Sequence, residues 1–176
     1  IIVVPVWLGA PNPAIGSEKS WNDAWKGLDL KYALTPVNLQ PLKKEVVADV
    51  VKGMVRDGQG QRILAGEYKS DRVVLAVAEH DPQTKRLNVT LTGVDAVGNL
   101  MLKRAYRLDP SDAGYTVEVA AVVGMGVLEG RWKALKARGG KGGGANTAAG
   151  RQGFNQGGGN LEISVEFRGM GEWRDI

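Results

Sequence analysis

The sequence predicts a single α/β domain, a mixed sheet of five or six strands with an antiparallel meander and packed helices. Three observations carry this. A short, continuous β-branched apolar run, Ile1 to Leu8, reads as a strand buried on both faces. Three further strand patterns, joined by short turn-rich links, then follow three helical segments. A long apolar stripe at helical spacing comes after them.

The elements follow in order. Ile1 to Leu8 closes at Gly9 and Pro11, and Pro5 inside it lacks a backbone donor, so it is expected near a strand end or at an unpaired position. Residues 9–20 are loop by composition. Ser20 is a candidate N-cap for a helix carrying Trp21 and Trp25 on one face. Thr35 to Leu39 reads as a brief strand. Pro41 can open a helix at its first position, with Leu42, Val46, Val47, Val50, Met54 and Val55 on its apolar side. Asp57-Gly58 stops that helix, and a short one spans Gln61 to Tyr68. Arg72 to Ala78, Leu87 to Val94 and Leu100 to Leu108 form the meander, with a turn at His80 to Lys85. Asp109 and Asp112 supply turn and cap chemistry before a helix over Tyr115 to Ala137. Gly124 and Gly126 lie inside it, where tight packing against the sheet is expected to compensate for their low helix propensity. Leu161 to Phe167 alternates as a final strand, expected on the same sheet.

The totals restrict the function classes. The chain has 176 residues, 43% hydrophobic and 24% charged, which is globular rather than disordered composition. It has no cysteine, which excludes disulfides, a cysteine nucleophile and thiolate zinc sites. A formal net charge of +4 is too mild to argue for nucleic acid. The longest apolar run, Val119 to Leu128, is half of the about 20 residues that span a bilayer. The chain opens inside a strand pattern without Met and closes at Trp173-Arg174-Asp175-Ile176, so it is expected to be a piece of a longer protein. Gly139 to Asn160 holds ten glycines and reads as a flexible loop within the domain.

Catalytic motifs fail one by one. The single histidine, His80, falls at a turn, and no serine sits in a nucleophile elbow. Glu162 and Glu166 share a strand face but stand about 13 Å apart, wider than a glycosidase pair needs. One histidine and no cysteine leave no transition-metal set, and neither glycine cluster matches a nucleotide fingerprint. No catalytic, cofactor-binding or metal-binding residue is therefore assigned, and no cofactor. Two candidate binding sets remain. Trp21 and Trp25 are either core or an exposed partner anchor. Arg131, Lys133, Lys136, Arg138, Lys141 and Arg151 either complement a helix C-terminus or contact an anionic polymer.

Several segments, taken together, resemble a known family. They are Val3-Val4-Pro5-Val6-Trp7, the pair Trp21 and Trp25, Pro36-Val37, and Ala65, Tyr68 and Asp71 before VVLAVA. Leu128 to Ala134 and Gly169-Met170-Gly171-Glu172-Trp173 complete the set. In this order they resemble the bacterial domain-of-unknown-function 2066 family, over nearly the whole chain apart from the glycine tract. The topology is also similar to the TolB amino-terminal domain and to lipoprotein activators of penicillin-binding proteins. The resemblance implies an exported, periplasmic or envelope-associated domain that acts as a non-catalytic protein-interaction module, its partner another envelope protein. A hydrolase acting on a cell-wall or small-molecule substrate, and an anionic-polymer or nucleic-acid binder through Arg131 to Arg151, are the alternatives.

Overall fold

The opening apolar run becomes the strand around which the sheet is organised. In the structure, a computed structural model, residues 1–139 are described apart from Pro13 and Pro110, with side chains described as far as Ala137. Strand β1 (Ile2–Leu8) lies between the two-residue strand β2 (Asn38–Leu39) and β3 (Val73–Asp81), parallel to both. Strands β4 (Arg86–Val94) and β5 (Asn99–Arg107) extend the sheet antiparallel, giving the order β2-β1-β3-β4-β5. The α/β class, the mixed sheet and the meander are thus as the sequence predicts. Five strands are present among the described residues; Leu161 to Phe167, the glycine tract and Trp173 lie outside them.

Pro5 occupies the position its chemistry requires. Val3 faces β2, where its carbonyl accepts from Gln40 N at 3.0 Å, whereas Ile2 N donates towards the β3 side, to Arg72 O at 2.9 Å. Pro5 lies on the β2 side by alternation. The β2 register ends at Val3 opposite Leu39, so no ladder bond is lost.

Helices cover both faces of the sheet. Helices α1 (Glu18–Lys26) and α4 (Ala113–Gly139) pack on one face, and α2 (Ala48–Asp57) and α3 (Gln61–Tyr68) on the other. β1 accordingly feeds two cores. Val3 and Trp7 point to the α1/α4 side, Val4 and Val6 to the α2/α3 side.

Two helix starts differ from expectation. Helix α1 is capped by Ser17, not Ser20. Ser17 Oγ accepts from Ser20 N while Ser20 Oγ accepts from Ser17 N at 2.7 Å, a reciprocal capping box. Helix α2 begins at Ala48, not at Pro41. Residues 41–47 are non-helical because Tyr68 holds them: its hydroxyl donates to Pro41 O at 2.9 Å and accepts from Lys43 N at 3.1 Å. Lys43 Nζ also caps Glu67 O and lies 4.9 Å from the Tyr68 ring centre. Leu42 and Val46 still reach the core, from an irregular segment. Burial pushes the Tyr68 hydroxyl above the usual phenol range, opposed by the Lys43 backbone donor and helped by Glu45 and Glu67. Tyr68→Phe removes both bonds and leaves a partly buried donor and acceptor unmet. It is expected to lower stability by about 1–2 kcal/mol, read as a lower urea midpoint at unchanged slope.

Candidate functional site

The outer face of α4 is the feature of this fold that the core does not account for. Between Val117 and Val127 the helix carries apolar or small residues in every direction except at Glu118. Such a helix is normally buried all round. Here only one side is: Val117, Ala120, Ala121, Gly124 and Leu128 face the sheet and α1. The opposite side presents Tyr115 and Val122, 59% and 57% exposed, with Gly126 exposed between Val122 and the polar end of the helix.

A strap runs beside this face. After α1 the chain makes a 3₁₀ turn at Leu30–Tyr32 and is tied to α4 by Leu34 N, which donates to Glu129 Oε1 at 2.9 Å. Leu28, Leu30 and Ala33 turn towards α4, while Tyr32 and Leu34 stand 76% and 58% exposed. Strap and helix enclose a shallow groove of about 280 Å³, floored by Val122, Met125 and Gly126. On the other flank a second hollow of about 390 Å³ lies against Tyr106, Leu108, Tyr115, Thr116 and Val119. Burial raises the Tyr106 hydroxyl above its ordinary value, with Arg104 opposing. Apolar side chains are thus exposed on α4 at Tyr115 and Val122, with a hollow on either flank. Exposed apolar surface, where contiguous and rimmed by polar groups, marks interaction sites.

The carboxylates near these hollows are occupied. Glu129 receives the strap amide. Asp109 accepts from Ser111 Oγ at 2.5 Å and from Ser111 N at 2.8 Å, bonds that hold its carboxyl below the usual range. Asp112 Oδ1 accepts from Tyr115 N at 3.1 Å in the first turn of α4. Among the described residues no three His, Asp or Glu side chains cluster as a metal site. His80 lies within β3, which runs on to Asp81, rather than in a turn; it stands opposite Leu87. Glu162 and Glu166 lie outside the described residues.

The tryptophan pair is core, the first of its two readings, and not an exposed partner anchor. Both Trp21 and Trp25 are fully buried. Their rings meet edge to face at 5.9 Å, and Trp21 Nε1 donates to Ala76 O in β3 at 2.7 Å. Trp25 fits against Gly124: a Cβ there would lie 3.1 Å from the ring. Tight packing thus explains Gly124. It does not explain Gly126, where an added Cβ would meet nothing within 4 Å.

The basic set is also divided. Arg131 is not available to an anion. Its Nε donates to Asp95 Oδ2 at 2.6 Å and its Nη2 to Asp95 Oδ1 at 3.2 Å and Asn99 O at 3.0 Å. The pair is almost wholly buried and fastens α4 to the β4–β5 turn. Lys133 and Lys136 are exposed, Lys136 Nζ lying 5.0 Å from the Trp132 ring centre. The side chains of Arg138, Lys141 and Arg151 lie outside those described. A second group of cations is created by the sheet register. Arg86 stands directly opposite Arg107, and Lys103 shares their face on β5. Among the described residues β5 is the last strand of the sheet, and cations such as Lys103 and Arg107 on an edge strand oppose edge-to-edge pairing.

No helix among the described residues is long and apolar enough to cross a membrane. Comparison of the chain with protein-family models, curated proteins and solved structures finds no match.

Proposed function

We propose that this domain is a non-catalytic protein-interaction module of the bacterial cell envelope, and that it engages its partner through the outer face of α4 and the adjoining strap. The carrying observation is the exposed apolar surface of Tyr32, Leu34, Tyr115 and Val122, with Tyr32 and Val122 lining the shallow groove and Tyr115 the second hollow. Exposed tyrosines such as Tyr32 and Tyr115 are of the aromatic type that interface hot spots favour. The envelope setting rests on the resemblance to the domain-of-unknown-function 2066 family, carried by VVPVW, the tryptophan pair and RWKA.

A photo-crosslinking residue at Val122 tests this in cells, with one at Lys52 on the exposed side of α2 as control. A discrete adduct from position 122 in the envelope fraction, absent from position 52 and lost on Tyr32→Ala with Leu34→Ala, is the expected result. Equal labelling from both positions, or none from either, would sink the reading.

A further inference from the structure

We infer that the partner of the α4 face is a second copy of this chain, with the two α4 helices packed antiparallel about a two-fold axis at the level of Gly124. The inference rests on the reading of that face as an interaction surface and names its occupant. A two-fold interface must be self-complementary, each feature meeting its counterpart on the same patch. The α4 face meets this requirement in shape and in charge.

Shape comes from Val122 and Gly126. They are one turn apart on the outer face, the first a protruding β-branched side chain, the second an open gap. Antiparallel pairing centred between them sets Val122 of each copy against Gly126 of the other, twice. Gly126 lowers helix propensity by about 1 kcal/mol relative to alanine, and among the described residues an added Cβ there would meet nothing within 4 Å. A close approach by another helix does require the glycine.

Charge comes from the two ends of the same stripe. Glu118 lies towards the start of α4, and Lys133 and Lys136 lie towards its end. Among the described residues, neither Glu118 nor Lys133 forms an ion pair. In the antiparallel arrangement Glu118 of one copy opposes Gly130 of the other, and Lys133 lies one turn further along, within reach of the carboxylate. Tyr115 opposes Lys133, where a cation can sit over its ring. A parallel arrangement would instead set Glu118 against Glu118 and lysine against lysine, with like ends of the two helix dipoles side by side. The strap residues Tyr32 and Leu34 form a wall beside the incoming helix.

Sedimentation velocity on the full 176-residue chain, from low micromolar to sub-millimolar concentration, tests the pairing. A reversible dimer is expected. Glu118→Lys and Lys133→Glu should each raise its dissociation constant by about tenfold, because each reversal affects two symmetry-related pairs. The double reversal should return it to within about threefold of the parent. Val122→Asp should give a monomer whose urea midpoint matches that of the parent at concentrations where the parent is also monomeric. A monomer at every concentration overturns the inference, and so does a dimer that the charge exchange does not restore. A purified monomer whose Val122 position still crosslinks to a different protein in cells overturns only the self-pairing and leaves the interaction reading standing.

Discussion

Gly93→Ala is expected to disrupt the centre of the sheet and lower stability by about 3 kcal/mol or more. Gly93 lies in β4 opposite Val74, with φ +141. A Cβ built there would lie 2.1 Å from the carbonyl oxygen of Val73 and 3.0 Å from the Val74 Cα. Both neighbours are backbone, so no side-chain rotation relieves the overlap. The β3–β4 ladder itself must move, and β3 is the strand that joins the parallel half of the sheet to the meander. Gly98→Ala separates the two contributions. Gly98 has φ +137 but open space around it. Its replacement should show only the conformational strain, about 1–2 kcal/mol. Urea unfolding of both variants checks this, and a Gly93 variant no less stable than the Gly98 variant would contradict the steric account.

Arg131→Met is the second large effect, expected to lower stability by about 3–5 kcal/mol. The methionine replaces much of the arginine stem but strands Asp95, whose side chain is 4% exposed. Asp95 would keep the amides of Val97 at 2.7 Å and Gly98 at 3.0 Å, and lose its guanidinium. Arg131→Lys should recover only part of the loss, since an ammonium cannot reach Asp95 and the Asn99 carbonyl with a fixed fork. A double-mutant cycle with Asp95→Asn isolates the pair. A coupling near zero would mean that the geometry contributes nothing, as is common for ion pairs on open surfaces.

Much of the fold was legible in the sequence because its signals are local. The alternation of Leu87, Val89 and Leu91 identified β4, and Gln61 to Tyr68 was bounded as a helix within the residues it occupies. The start of α2 was not legible. Leu42 and Val46 keep helical spacing, yet they reach the core from an irregular segment held by the Tyr68 hydroxyl, a partner distant in sequence. The candidate site was read less well, for a similar reason. Trp21 and Trp25 share a face in any helix, but what covers that face lies far along the chain, Ala76 beside Trp21 and Gly124 beside Trp25. Arg131 belongs by position to a basic run, and only the fold delivers Asp95 to it. The opposition of Arg86 and Arg107 depends wholly on register. The outer stripe of α4 was present in the sequence as an apolar helix without a polar side. It was read by its buried stripe alone.

The parallel pairing of β1 with β3 sets an order of events for the growing chain. β3, β4 and β5 are neighbours in sequence and can close by short turns, whereas β1 must wait until the whole α1-to-α3 segment has been synthesised before β3, its longer partner, exists. Distant pairings of this kind are slow because loop closure precedes the contacts that reward it. During that interval Ile-Val-Val-Pro-Val-Trp-Leu is an uncovered strand of high β-propensity, the composition that seeds intermolecular stacking. Pro5 interrupts it without weakening the finished sheet, since β2 has already ended at that point. The same residue that is silent in the native ladder is thus a kinetic safeguard for the chain before it folds.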